Sequence, residues 1–318
     1  MTCLGTDPFV RVELSGGLGN QIFGYVAGLY AQEISKRRLQ LDFSKVSYSH
    51  VKSPYDLRSF NLEECKILDH KFSDTDAYKL LMRVNDSLSY RSNLYKNISQ
   101  VKHDIIVDLN PAWKNLVMHE LSNLKKNTIL KGPFANAAYI DKLEDFRSEH
   151  LSLTLKEKSS WFLETISEMQ SVDPICIHVR RGDYMELEKT KSRVGLLSLD
   201  YYERSLKLIR AISGENNPVW IFSDSPNVVA KLFQKSAEFR RSRLKVIQTA
   251  LDHDPAEILV LFGSSNFRVI SNSSFSFWAS RLNLNSKLTV YPNRYYWNDE
   301  RNLEFIYPKW VSASSSWE

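Results

Sequence analysis

Two arginines stand directly after an apolar run, where Ile175-Cys176-Ile177-His178-Val179 leads into Arg180-Arg181-Gly182-Asp183-Tyr184. Arginine carries a rigid, permanently charged fork of donors that matches phosphate oxygens. Adjacent guanidiniums at the end of a buried segment suit an anion, and the chemistry they offer is a phosphate clamp. The plainer alternative is an ion-pair set with Asp183 and Glu186, the ordinary fate of a charge run. Their position straight after a buried strand weighs against that alternative. His178 precedes Arg180 by two residues and so shares its face of a strand. It reads either as a satisfied core histidine or as a second contact for the same ligand.

Two further polar clusters have the same form. Ser223-Asp224-Ser225-Pro226 follows a strand-like run over 218–222, and Asn272-Ser273-Ser274-Phe275-Ser276 follows another over 267–271. Serines at a helix start bind phosphate through hydroxyls and amides, and cap helices without a ligand just as readily. Near the N-terminus, Ser15-Gly16-Gly17-Leu18-Gly19-Asn20-Gln21 separates a strand-like stretch over 9–14 from a helix-periodic segment over 22–36. Strand, glycine-rich turn and helix expose helix N-terminal amides to a ligand. The spacing is neither the dinucleotide fingerprint nor a Walker loop. Gly17 and Gly19 alone would fit a tight packing turn. Asn20 and Gln21 tilt the reading towards function, because their amides offer both donors and acceptors to hydroxyls.

These residues need elements to position them. From 156 to 292 the pattern alternates regularly. It predicts helices over 156–170, 201–212 (with Asp200 as N-cap), 227–240, 255–263 and 277–282. The predicted strands span 175–179, 218–222, 244–248, 267–271 and 288–291. Such alternation gives a parallel, doubly wound sheet, and clusters at the carboxyl ends of its strands converge on one crevice. In the first half, 39–43 and 129–134 read as strands and 135–143 as the start of a helix. The stretch 44–127 is irregular, with a short helix over 76–85. Residues 146–155 read as a linker, and 185–198 as a loop bordering the clamp.

Length and composition set the bounds. A chain of 318 residues exceeds one ordinary core. Apolar content of 43% and charged content of 25% are those of a soluble globular protein. A net charge of +5 fits an anionic ligand or an acidic membrane surface and is too diffuse for a nucleic-acid binder. Cys3, Cys65 and Cys176 are odd in number and far apart, so neither a disulfide framework nor a zinc site is expected. Neither a signal peptide nor an apolar run of about 20 residues is present, which points to a soluble, cytoplasmic protein or the trimmed catalytic part of a longer one.

Four motifs in order resemble the α-1,2-fucosyltransferase family (glycosyltransferase family 11). They are Gly16-Gly17-Leu18-Gly19-Asn20-Gln21-Ile22-Phe23, His178-Val179-Arg180-Arg181-Gly182-Asp183-Tyr184, Phe222-Ser223-Asp224 and Asn272-Ser273-Ser274-Phe275-Ser276-Phe277-Trp278. The resemblance implies an α/β, GT-B-like fold of two Rossmann-like domains facing across a cleft. Residues 1–150 would form the acceptor-side domain and 151–318 the GDP-sugar-binding domain. It implies an inverting enzyme that moves L-fucose from GDP-β-L-fucose to the 2-hydroxyl of a galactose acceptor, with no cofactor and no metal.

By that resemblance Arg180 binds the β-phosphate, supported by Arg181 and Asp183, and His178 contacts the nucleoside. Ser223, Asp224, Asn272, Ser273, Ser274 and Phe275 hold diphosphate and fucose. Glu257 reads guanine, with Asp252 and Asp254 just upstream. Asn20, flanked by Gly17, Gly19 and Gln21, faces the reacting centre. Glu188 stands where related core fucosyltransferases carry a catalytic glutamate, and is the expected base. The chain departs from the family in having Phe277 and Trp278 where two tryptophans are usual, and in the segment 132–136. The acceptor would be a galactose-containing oligosaccharide or lipid-linked glycan of a surface polysaccharide or O-antigen, with loose contact to an anionic inner leaflet. The alternatives are a transferase for another nucleotide sugar and a non-catalytic sugar-nucleotide or glycan-binding protein.

Overall fold

The structure, a computed structural model, describes residues 8–44, 46, 56–63, 65–68, 104–107, 127–186, 192, 194–248, 253–297 and 307–318, with backbone alone at 104–107, 183, 186 and 248. Two compact units divide the chain. One draws on Met1–Gly16, Phe23–Lys52 and Glu63–Phe134, the other on Gly17–Ile22, Ser53–Leu62 and Ala135–Glu318. The helix of residues 138–147 thus belongs with the second unit, and the division falls earlier than the expected boundary at 150/151.

The first unit holds strands β1 (Phe9–Glu13), β2 (Arg38–Asp42), β3 (Lys66–Leu68), β4 (Asp104–Val107) and β5 (Thr128–Lys131). All are parallel, in the order β3-β2-β1-β5-β4. Helix α1 (Leu18–Ser35) follows β1. A Cβ on Gly28 would stand 2.7 Å from Val12 and 2.8 Å from Leu39, so glycine lets the helix press on the sheet. Strands β3 and β4 lie in the stretch read as irregular; the helix expected over 76–85 lies outside the described residues. Helix α1 begins at Leu18 rather than at 22, because Asn20 and Gln21 already donate their backbone N–H to Gly17 O.

The second unit begins with α2 (Ala138–Arg147) and α3 (Ser160–Val172), followed by β6 (Ile175–Val179) and α4 (Gly182–Glu186). Then come α5 (Leu199–Ser213), β7 (Val219–Ser223), α6 (Pro226–Phe233), α7 (Ala237–Arg241) and β8 (Leu244–Gln248). The chain ends with α8 (Pro255–Gly263), β9 (Phe267–Val269), α9 (Ser274–Arg281), β10 (Leu288–Pro292) and β11 (Val311–Ala313). The sheet is parallel throughout, in the order β11-β10-β9-β6-β7-β8. From β6 the chain winds outwards through β7 and β8, then returns to the other side of β6 with β9. This is the expected doubly wound α/β arrangement.

Strand alternation divides β6 between two layers. Ile175, Ile177 and Val179 enter a buried cluster with Leu206 and Ile209 of α5 and Phe233 of α6. His178 turns to the opposite layer, where α8 supplies Phe262.

Several element ends differ from expectation, each through a cap. Asp200 lies in the first turn of α5, where its charge suits the helix dipole, and Ser198 is the N-cap. The helix expected over 227–240 is two, because the Ser236 side chain accepts from Phe239 N and starts α7. Helix α9 starts at Ser274, not 277, with Ser273 Oγ accepting from Phe275 N at 3.3 Å. Helix α2 runs into the expected linker and ends at Ser148, a left-handed residue with φ 57°.

An ion cluster fastens α2 to the end of α9. The buried Arg281 donates to Glu144 Oε2 at 2.6 Å and Asp141 Oδ1 at 3.1 Å, and lies 4.8 Å over the Tyr307 ring. His150 Nδ1 meets Glu144 Oε1 at 2.7 Å. Burial raises the Glu144 pKa, but its bonds to His150 and Arg281 outweigh that and bring it down to about 2. A depressed carboxyl stabilises the fold above its unfolded value, near 4.3, and loses that contribution as pH falls towards the folded value. Urea unfolding of the wild type is therefore expected to weaken more than that of Glu144→Gln between about pH 7 and about pH 3; equal losses in the two proteins would contradict this.

Candidate active site

In the second sheet the winding direction reverses between β6 and β9, and ligands of open α/β sheets bind beyond the carboxyl ends at such a point. Arg180 is the first residue after β6. Its Nη1 lies 2.8 Å from Asp224 Oδ2, its guanidinium carbon 5.4 Å over the Tyr184 ring, and its side chain is 28% exposed. Asp224 follows β7, and its Oδ1 accepts the backbone N–H of Arg181 at 2.9 Å and of Gly182 at 3.2 Å. A Cβ on Gly182 would stand 2.5 Å from Asp224 Oδ2, so glycine is what admits the carboxylate. One side chain thereby shapes the turn after β6 and fixes the arginine that leaves it.

Four residues expected at the donor are bonded within the protein. The Arg181 side chain is 1% exposed, and its Nη2 donates to Leu197 O at 3.1 Å and Glu318 Oε1 at 2.7 Å. Ser223 is fully buried, its Oγ accepting from Ser225 N at 3.1 Å. The buried Asn272 donates its amide to Val194 O and Gly195 O, both at 3.2 Å. Glu257 is buried with both oxygens on Ser159, accepting from its N–H at 2.5 Å and its Oγ at 2.8 Å. That bond joins the first turn of α8 to the N-cap of α3. Glu188, Asp252 and the Asp183 side chain lie outside the described residues.

His178 is buried beside the clamp. Its Nδ1 is 2.8 Å from Ser271 Oγ, and its ring stacks on Phe275 with centroids 5.4 Å apart. Burial, and then the charge of Arg180, push its pKa down to about 3. It is therefore a neutral ring at ordinary pH, packed against Phe262 and Phe275.

Three tyrosines, none singled out from the sequence, hold the segment that leads into α9. Tyr201 donates to Ile270 O at 2.6 Å, Tyr184 to Asn272 O at 3.2 Å, and Tyr295 to Ser273 O at 3.0 Å. Burial raises the Tyr201 and Tyr295 hydroxyls well above their ordinary value, so both remain donors. Only Tyr184 carried a sequence signal, its place beside the arginines.

The first turn of α1 belongs to this unit and meets the start of α9. A Cβ on Gly19 would stand 2.6 Å from both Phe275 N and the Ser274 carbonyl carbon. Ser274 Oγ donates to Asn20 Oδ1 at 3.0 Å. Gln21 is buried, its Oε1 accepting from Leu57 N at 3.0 Å, and a Cβ on Gly17 would meet nothing within 4 Å. Contacts thus run from Asn20 and Gly19 through Ser274 and Phe275 to His178, which feels the charge of Arg180. Two helix N-termini and an arginine favour an anion here. Among the described residues no group of three or more His, Cys, Asp or Glu is placed to hold a metal ion.

Residues 10–313 match the family described as glycosyl transferase family 11. The chain is 24% identical over 313 residues to the O-antigen biosynthesis glycosyltransferase WbnK of Escherichia coli, covering 94% of this chain and 98% of that one. It is 25% identical over 315 residues to an Escherichia coli alpha-1,2-colitosyltransferase, covering 95% and 98%. Among solved structures it is similar to the Bradyrhizobium fucosyltransferase NodZ, with a TM-score of 0.49 and 14% identity over 87% of this chain and 92% of that one. The E. coli ADP-heptose lps heptosyltransferase II gives a TM-score of 0.47 and 10% identity over 96% and 90%.

The two glycines make a paired test. Gly19→Ala forces backbone against backbone and is expected to cost about 1–3 kcal/mol. Gly17→Ala, facing open space, should stay within about 0.5 kcal/mol. Thermal and urea unfolding of both variants would measure this, and a Gly19→Ala protein as stable as the wild type would contradict the close approach.

Proposed function

The chain belongs to glycosyl transferase family 11, and from that premise we propose that it transfers L-fucose from GDP-β-L-fucose to the 2-hydroxyl of a galactose-containing acceptor. One observation carries the donor reading: Arg180, fixed by Asp224 at the point where the sheet reverses, stands partly exposed at the carboxyl end of β6. A diphosphate needs charge-assisted donors on its oxygens, and an arginine with helix amides supplies them. The half-buried Phe275, backed by the neutral His178 ring, offers a flat apolar face to the nucleoside and sugar.

In this reading Arg180 and the start of α9 stabilise the charge that develops on the leaving GDP as the bond to the sugar breaks. Asn20 holds the acceptor, Glu188 takes the hydroxyl proton as it attacks the opposite face, and the anomeric centre inverts. No metal is needed, since the arginine and amides meet the diphosphate. The α-1,2 linkage and a place in O-antigen assembly are supported by the names of the two Escherichia coli relatives; in this reading the acceptor is a lipid-linked glycan met at the cytoplasmic side of a membrane. The second of those names favours one further reading, that the sugar moved is colitose, because that relative is as similar to this chain as the first.

Calorimetry is expected to show GDP binding at least about tenfold tighter than UDP or ADP, a difference of about 1.4 kcal/mol. Arg180→Ala should lower turnover by about a hundredfold or more, about 2.7 kcal/mol of transition-state stabilisation, with an unchanged melting curve. Turnover should persist in EDTA. A folded, normally active Arg180→Ala enzyme would overturn the donor assignment. Competition between the fucose and colitose donors decides which sugar is moved.

A further inference from the structure

The charge of this chain is concentrated in one place. Residues 226–245 hold six lysines and arginines against one acidic residue, a net +5 that equals the net charge of the whole chain. The remainder of the sequence is therefore electroneutral. The structure puts most of this segment on the outside of one helical layer, formed by α6, α7 and the neighbouring α5. Tyr202 of α5 packs on Phe233 of α6 with ring centroids 5.6 Å apart, and Glu203 accepts from Ser236 between α6 and α7. Lys245 is the exception, held by Glu168 of α3 at 2.5 Å.

The acids of this layer do not neutralise its outer face. The buried Arg210 pairs with Glu238 and, at 3.3 Å, with Glu215. Glu203 accepts from the uncharged Ser236 hydroxyl and so keeps its charge, as does the exposed Asp200 in the first turn of α5, but the bases of the layer outnumber these two acids. Arg240 donates to Gln234 O and Lys235 O, and Arg243 to Asn216 O, bonds that leave their charge in place. Lys207, Lys231, Lys235 and Arg241 are exposed and pair with no carboxylate among the described residues. Large apolar side chains stand on the same face: Ile212 is 67% exposed and Leu208 40% on α5, one turn apart, and Val228 is 43% exposed on α6.

We propose that the outer face of the α5–α6–α7 layer is a docking surface for an anionic lipid bilayer. Lysine and arginine near such a surface are each attracted to its negative potential. Exposed apolar side chains among them enter the interfacial region, where a purely electrostatic partner would have no use for them. A nucleic-acid backbone would satisfy the charge and leave Ile212 and Leu208 in water. The surface lies on the far side of the sheet from the layer of α8 and α9, and the inference holds whichever sugar the enzyme moves.

Co-sedimentation of the full chain with vesicles of phosphatidylcholine containing about a third phosphatidylglycerol tests this, against pure phosphatidylcholine vesicles and a duplex oligonucleotide. The expected result is binding to the anionic vesicles alone, falling steeply with salt as surface charges are screened. Lys231→Glu with Lys235→Glu should lower the partition at least tenfold, and Ile212→Ser with Leu208→Ser should lower it severalfold. GDP binding and the melting curve should be unchanged in both variants. No binding to anionic vesicles, equal binding by the charge-reversed protein, or tighter binding to the oligonucleotide with no effect of the serine variant would each overturn the proposal.

Discussion

A guanidinium on a flexible stem recognises a phosphate well only when something else has already fixed it. Here that constraint is the carboxylate of Asp224, which meets Arg180 at 2.8 Å and accepts the next two backbone N–H groups. Because it comes from β7 and Arg180 from β6, the register of two adjacent strands sets where the charge points. The bond from Tyr184 to Asn272 O carries the same order across to the segment after β9. Loss of Asp224 would free the arginine and also the turn that positions Tyr184.

The second requirement is close approach. Gly182 admits the Asp224 carboxylate, and Gly19 lets the first turn of α1 lie against the backbone of Ser274 and Phe275. A third contact of this kind, Gly263 with a would-be Cβ 2.4 Å from Ala279 O, sets the spacing of α8 and α9. The start of α9 is thus held by tyrosine hydroxyls on its leading segment, by a glycine contact at its first turn and by a helix packed along it. These contacts fix the start of α9 from within the protein, and donors fixed in advance are what electrostatic stabilisation of a developing charge requires.

Much of this was legible in the sequence, and for definite reasons. Strand β6 is buried on both faces, so it reads as an unbroken apolar run, and its abrupt end in arginine marks the site. Polar clusters after β7 and β9 showed which strand ends converge. What stayed hidden involves partners distant in the chain. Arg181, Arg268 and Arg281 are buried charges whose partners include Glu318, Asn283 O and Glu144. For Arg268 and Arg281 no local pattern marks this, and for Arg181 the place after β6 did not name the partner. Glu257 was expected to read guanine by resemblance alone, and Ser159, 98 residues away, takes both its oxygens. The short strands β3 and β4, of three and four residues, lack the length for periodicity to appear.

The central claim is that Arg180 and the start of α9 receive a nucleotide diphosphate. A crystal structure of the chain with GDP tests it most directly. The expected result is a β-phosphate within about 3 Å of the Arg180 guanidinium, with the Ser274 hydroxyl turned from Asn20 towards the diphosphate. GDP bound away from Arg180, or a crystal grown at saturating GDP with this site unchanged, would contradict it.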